Sequence, residues 1–128
     1  MSEQRLRILL IEEDPTLLEI TAFRLELLGY EVIEKDSAED AMAWLQNDLP
    51  DLVIVNQFLP GLDGVELVDR LSSDVRTADL PVMMVSANAD LDDVQRAYNA
   101  GADEYLVTPF DPAVLETKVQ RLSVAARK

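Results

Sequence analysis

Leu52-Val53-Ile54-Val55, with Pro50 before it and Asn56 after it, is a strongly β-branched run without a polar interruption. Such a run suits a strand buried on both faces, because a strand with one wet face would alternate. A helix opens near Asp63, with Glu66 in the capping-box position and Leu67, Val68 and Leu71 along one side. The same unit recurs in both directions. Upstream, Leu6-Arg7-Ile8-Leu9-Leu10-Ile11 is a nearly continuous apolar strand. Asp14-Pro15 then supplies an N-cap and a first helical position, and Leu18, Ala22 and Leu25 mark one helical face. Gly29 stands where that helix needs a left-handed terminal residue. Glu31-Val32-Ile33-Glu34 is a weaker strand, and a helix follows from Ser37 with Asp40 three residues on and Ala38, Ala41, Met42 and Leu45 inward. Downstream, Val82-Met83-Met84-Val85 follows Pro81, and a helix runs from about Asp90 to Gly101 with Leu91, Val94, Ala97 and Tyr98 inward. Tyr105-Leu106-Val107 is the last strand, and Asp111-Pro112 opens a helix with Leu115, Val119 and Leu122 on one stripe. Strand and helix alternating with short linkers imply an α/β architecture, a parallel sheet covered by helices on both faces.

The chain of 128 residues has the length of one ordinary domain, so residues 1–128 are read as a single unit. Its apolar fraction of 48% and charged fraction of 28% are those of a globular protein. With no cysteine and no histidine, disulfides, thiolate metal sites, serine–histidine catalysis and phosphohistidine chemistry are excluded within the chain. A formal net charge of −14 repels nucleic acid and anionic lipid. Met1–Arg7 lacks the apolar core of a leader, and no run approaches the about 18 apolar residues of a membrane span. The expected location is cytoplasmic.

In an open parallel sheet, ligands bind beyond the carboxyl ends of the strands. Those ends deliver Glu12 and Glu13, Asn56, Ser86 and Thr108, and no glycine-rich phosphate loop follows the first strand. Five stretches carry a resemblance: Ile8-Leu9-Leu10-Ile11-Glu12-Glu13-Asp14, Asp51-Leu52-Val53-Ile54-Val55-Asn56, Leu59-Pro60-Gly61-Leu62-Asp63-Gly64, Val82-Met83-Met84-Val85-Ser86-Ala87, and Gly101-Ala102-Asp103-Glu104-Tyr105-Leu106-Val107-Thr108-Pro109-Phe110. The chain resembles, over nearly its whole length, a receiver domain of a two-component response regulator. The resemblance implies a flavodoxin-like, doubly wound (βα)5 sandwich with sheet order 2-1-3-4-5. It also implies a phosphorelay role in which an aspartate ending the third strand accepts a phosphoryl group from a histidine kinase. An acidic pair after the first strand helps hold Mg²⁺, a serine or threonine ends the fourth strand, and a lysine ends the fifth.

Here the acceptor position is Asn56, the lysine position is Thr108, and the acidic pair is Glu12 and Glu13. Ser86 and Tyr105 match the switch positions, and Pro109 matches a proline whose preceding peptide bond is usually cis in the family. A neutral amide whose nitrogen lone pair is delocalised forms no acyl phosphate, so Asn56 is read as a degenerate acceptor. Thr108 supplies no cation to a phosphoryl charge. For Mg²⁺, which prefers anionic oxygens in a tight octahedron, Glu13 and Asn56 remain as a weak donor set, and no cofactor is expected to be required. Losing a carboxylate and a lysine together leaves the formal charge of the pocket unchanged. Unbalanced like charges would cost about 4 kcal/mol per pair at about 4 Å and an effective dielectric of about 20.

The resulting expectation is a pseudo-receiver, not an enzyme, that acts by phosphorylation-independent protein–protein interaction. Two alternatives stay open: a conventional Mg²⁺-dependent phosphoacceptor in which Asn56 is an introduced change, and a small-ligand sensor using the vacated acidic pocket. With no phosphoryl group to draw Ser86 inward, Tyr105 is expected in one fixed conformer, inward or outward. The expected partner is a signalling protein or effector domain. In the family, the fourth helix, fifth strand and fifth helix form a common dimerisation surface. On it Lys118, Arg121, Arg127 and Lys128 can meet Asp92, Asp93, Asp103 and Glu104 of a second copy in a homodimer.

Overall fold

The computed structural model describes residues 5–126, so Arg127 and Lys128 and the residues before Arg5 lie outside the described residues. Its strands are β1 (Arg7–Ile11), β2 (Glu31–Lys35), β3 (Leu52–Asn56), β4 (Val82–Ser86) and β5 (Glu104–Val107). Its helices are α1 (Pro15–Leu27), α2 (Ala38–Leu45), α3 (Gly64–Ser73), α4 (Leu91–Ala100) and α5 (Pro112–Ala126). All pairings are parallel and the sheet order is β2-β1-β3-β4-β5. This is the flavodoxin-like order expected from the sequence.

Alternate residues of each strand enter opposite layers. Leu9, Ile11, Val53, Val55 and Met84 pack with Ala38, Ala41 and Leu45 of α2 and Leu67, Val68 and Leu71 of α3. Ile8, Leu10, Leu52, Ile54, Met83 and Val85 pack with Ala22 and Leu25 of α1 and Leu115, Val119 and Leu122 of α5. Both faces of the central strands are therefore dry, which is why they read as unbroken apolar runs. Each fully buried Leu, Ile or Val in these layers contributes about 1.5–3 kcal/mol.

The helix starts are chemical as well as geometric. Asp14 Oδ1 accepts the N–H groups of Thr16 and Leu17 at 2.9 and 3.2 Å. Ser37 Oγ accepts the N–H of Asp40 at 3.1 Å, and Asp63 Oδ1 that of Glu66 at 2.9 Å. Each cap is worth about 1 kcal/mol. Gly29 follows α1 with φ of +96°, a left-handed conformation that costs any residue with a Cβ.

The fourth helix departs from its sequence reading. Leu91 is 76% exposed and Tyr98 44% exposed, and Ala97 is the fully buried residue of α4. The buried side is centred one residue step, about 100°, away from Tyr98. Polar contacts of the first turn set that rotation: the Asp93 carbonyl accepts from Gln57 Nε2 at 2.9 Å, and the Asp93 carboxylate accepts from Asn88 Nδ2 at 2.7 Å. At the other end of α4, a Cβ on Gly101 would meet Ser72 Oγ at 1.9 Å, so only glycine lets this turn approach α3 so closely.

At the opposite edge of the sheet, Arg7 grips Asp48 through two parallel hydrogen bonds of 3.0 and 2.9 Å and lies over the Trp44 ring at 5.4 Å. The Arg7 hydrogen bonds hold the Asp48 carboxyl down from 3.8 to about 2. A carboxylate with a depressed folded-state pKa stabilises fully above its unfolded value and loses that contribution as pH falls through the folded value. Replacing Asp48 by Asn is therefore expected to flatten the pH dependence of unfolding free energy between about pH 4 and pH 2. Urea melts of both proteins across that window check it; parallel curves there refute the assignment.

Candidate functional site

The carboxyl ends of β1, β3, β4 and β5 meet along one rim of the sheet. Glu12, directly after β1, is buried, and Asn56 ends β3 beside it. Asn56 Nδ2 donates to Glu12 Oε1 at 2.7 Å. Asn56 Oδ1 accepts the N–H of Phe58 at 2.9 Å, and Glu12 Oε2 accepts the N–H of Asp14 at 3.1 Å. A backbone N–H donates only to an oxygen, so the Phe58 contact fixes which end of the amide faces Glu12. The short amide-to-carboxylate bond is charge-assisted, worth about 1.5–3 kcal/mol.

The loop after β3 is drawn tightly over this pair. A Cβ on Gly64 would sit 2.1 Å from the Asn56 carbonyl oxygen, and the Gly64 N–H donates to the Gln57 carbonyl at 3.0 Å. Glu39 of α2 accepts the N–H of Leu62 at 2.9 Å, and that bond holds its carboxyl below the usual range. On the other side, Ser86 is fully buried and its Oγ accepts the N–H of Asn88 at 3.0 Å. The Thr108 N–H donates to the Ser86 carbonyl at 2.8 Å, and the Thr108–Pro109 peptide is cis. Tyr105 points inward, 8% exposed, with its hydroxyl 2.6 Å from Gln57 Oε1 and 2.9 Å from the Asn88 carbonyl.

The structure thus joins Glu12 to Asn56 and leaves Glu13 exposed. Among the described residues no three acidic side chains converge to hold a metal ion. The Asn56 amide presents N–H, not a lone pair, to the one buried carboxylate of the rim. The residues present do not fit a Mg²⁺ site, which wants several anionic oxygens on one point.

Lys118 and Arg121 lie away from this rim and close on Glu104 of the same chain at 3.0 and 3.2 Å. Burial pushes the Glu104 carboxyl up, but the hydrogen bonds and charges of Lys118 and Arg121 outweigh it and the net shift is downward. Asp93 pairs with Arg96 at 3.2 Å, and Asp103 accepts the N–H of Val82 at 2.8 Å. These charges, read from the sequence as partners between subunits, already have partners within the chain. The sequence reading passed over Gln57, Asn88 and Glu39, whose partners are distant in the chain. The one signal for Gln57 was an amide placed between Val55 and Leu59.

The response regulator receiver domain family model matches residues 8–120. The chain belongs to this family. Among curated relatives, the phosphate regulon transcriptional regulatory protein PhoB of Pseudomonas aeruginosa is 35% identical over 121 residues, covering 94% of this chain and 52% of the relative. The chain spans about half the length of the curated relatives it matches. A response regulator structure from Chloroflexus aurantiacus J-10-fl superposes with a TM-score of 0.90 at 33% identity, covering 93% of this chain and 98% of that one. The receiver domain of a sensor histidine kinase from Pseudomonas aeruginosa PAO1 does so with a TM-score of 0.85 at 27% identity, covering 93% and 98%. That structure has a magnesium ion coordinated in its active-site cleft.

Placing a carboxylate at position 56 of this receiver domain is expected to destabilise the rim. Asn56→Asp removes the donor to Glu12 and sets two carboxylates together, a loss of about 1–3 kcal/mol. Thermal melts are expected to show the variant several degrees below the parent without divalent ions and recovering with millimolar Mg²⁺. The parent is expected to be indifferent to Mg²⁺; a parent that climbs as far as the variant contradicts the account of the rim.

Proposed function

We propose that this receiver domain is a pseudo-receiver, a signalling module that works through phosphorylation-independent protein–protein interaction and catalyses no reaction. The observation that carries the reading is the Asn56 amide, bonded at 2.7 Å to Glu12 and at 2.9 Å to Phe58. The rim holds no anionic oxygen at the acceptor position and no lysine at position 108. Attack on phosphorus needs the first, and neutralising the transferred charge needs the second. The degenerate positions are Asn56 and Thr108, beside Glu12, Glu13, Ser86 and Pro109.

The partner is a signalling protein or an effector region, met on the face formed by α4, β5 and α5. Leu91, Tyr98, Val107 and Val114 on these elements are exposed, an apolar offering amid acidic surface. The same face would serve a homodimer. The net charge of −14 argues against nucleic acid as a direct partner of this domain. Among the described residues no helix is long and apolar enough to cross a membrane, and a cytoplasmic location fits a response regulator receiver domain. The cavity lined by Glu12, Asn56, Thr21 and Phe110 has a volume of about 10 Å³, which suits one water and argues against a small-metabolite sensor.

The test is incubation with Mg²⁺ and acetyl phosphate, followed by intact mass. The expected spectrum carries no added phosphoryl group. A single hydroxylamine-labile phosphoryl increment on the parent protein overturns the reading in favour of a conventional phosphoacceptor.

A further inference from the structure

Gln57 is wholly buried, yet it carries a primary amide. Both ends of that amide are engaged, each by a different element. Nε2 donates to the Asp93 carbonyl in the first turn of α4 at 2.9 Å, and Oε1 accepts from the Tyr105 hydroxyl of β5 at 2.6 Å. Asn88, in the loop between β4 and α4, completes the circuit: its carbonyl lies 2.9 Å from the Tyr105 hydroxyl and its Nδ2 donates to the Asp93 carboxylate at 2.7 Å. Gln57, Tyr105, Asn88 and Asp93 thus form a closed ring that joins the end of β3 to β5 and to α4.

This ring matters because it holds the first turn of α4; further along, Val94, Ala97 and Ala100 pack on the core and Ser72 Oγ donates to the Ala100 carbonyl at 2.8 Å. Ala97 is its fully buried residue, whereas α3 buries Gly64, Leu67, Val68 and Leu71. A helix with so small a fully buried anchor takes its position partly from polar contacts, and it loosens when they go. The Tyr105 hydroxyl has one proton, and the shorter of its two contacts is the one to Gln57.

We propose that Gln57 is a positioning residue that clamps Tyr105 inward and fixes α4 against the sheet, so that the α4–β5 face is held permanently in one arrangement by the chain's own amide. The clamp deepens the reading as a pseudo-receiver and rests on it: a face held by a buried glutamine does not wait for a phosphoryl group. Gln57→Leu keeps the volume and removes both hydrogen bonds; Tyr105→Phe keeps the ring and removes one.

The experiment combines nitration with tetranitromethane and amide hydrogen exchange on the full chain. Tyr98, exposed on α4 with its ring 6.4 Å from that of Tyr105, marks full reactivity in the parent, and Tyr30, bonded to Ser123 through its hydroxyl, is the internal standard across variants. In the parent, Tyr98 is expected to react and Tyr105 to be spared. In Gln57→Leu, nitration of Tyr105 and exchange of the α4 amides are both expected to rise about tenfold, the loss of roughly one buried hydrogen bond, while the β1 and β3 amides stay unchanged. Tyr105→Phe, which leaves the Gln57–Asp93 bond in place, is expected to speed α4 exchange less, with the double variant no faster than Gln57→Leu. Unchanged Tyr105 nitration, unchanged α4 exchange, or additive effects in the double variant each overturn the clamp. If Gln57→Leu does not fold, α4 exchange in Tyr105→Phe alone decides. Failure of the clamp leaves the acetyl phosphate result untouched, and a phosphorylated parent defeats the pseudo-receiver reading whatever the exchange data show, so the two failures are told apart.

Discussion

A sheet dry on both faces admits polar side chains only at or beyond the ends of its strands. That constraint organises this molecule. Past Arg7, β1, β3 and β4 are apolar up to their carboxyl ends, and chemistry begins there: Glu12 after β1, Asn56 at the end of β3 with Gln57 after it, and Ser86 at the end of β4. A polar group placed there is still largely out of water, so each must find a partner or impose a cost of about 1–3 kcal/mol. None of the buried side-chain polar atoms described lacks one. The rim is a saturated hydrogen-bond network, and what it can do follows from which atoms the network leaves free.

In this receiver domain the network leaves little free. The acceptor position donates a hydrogen bond where an aspartate would repel its neighbour, and the neighbouring carboxylate is occupied by that donor and by the N–H of Asp14. On the pseudo-receiver reading proposed above, Asn56 and Thr108 are complementary, since neither leaves the other an unbalanced charge. The tertiary frame around them is unaltered, as the superposition on other receiver structures with TM-scores of 0.90 and 0.85 indicates. Packing and chemistry meet at the strand ends: the fold rests on two apolar layers, and Asn56 borders one of them through its pairing with Val85.

Much of this was legible from residues alone. Asp14, Ser37 and Asp63 announced helix starts because a cap is a local interaction, made within three residues. The strand runs were legible because burial on both faces leaves no alternation to misread. Asn56 and Glu12 were legible as a pair because both follow from the order of parallel strands. What could not be read was the rotation of α4. Its apolar stripe suggested Leu91 and Tyr98 inward, but its first turn is held by Gln57, whose contact with the Asp93 carbonyl spans 36 positions of sequence. Long-range polar contacts leave no periodic trace. The same reason hid Gln57 itself: an amide between Val55 and Leu59 is a faint signal, and its partners Asp93 and Tyr105 lie 36 and 48 positions away.

The two borders of the sheet differ from its centre in a way that shapes how copies can meet. β2 carries Glu31, Glu34 and Lys35 among its five residues, and β5 is a strand of four residues tied through Glu104 to α5. Charged or very short border strands are poor templates for a further strand. Growth of the sheet from one molecule into the next is thereby disfavoured at both borders, so contact with another protein would be made by side chains rather than by an added strand.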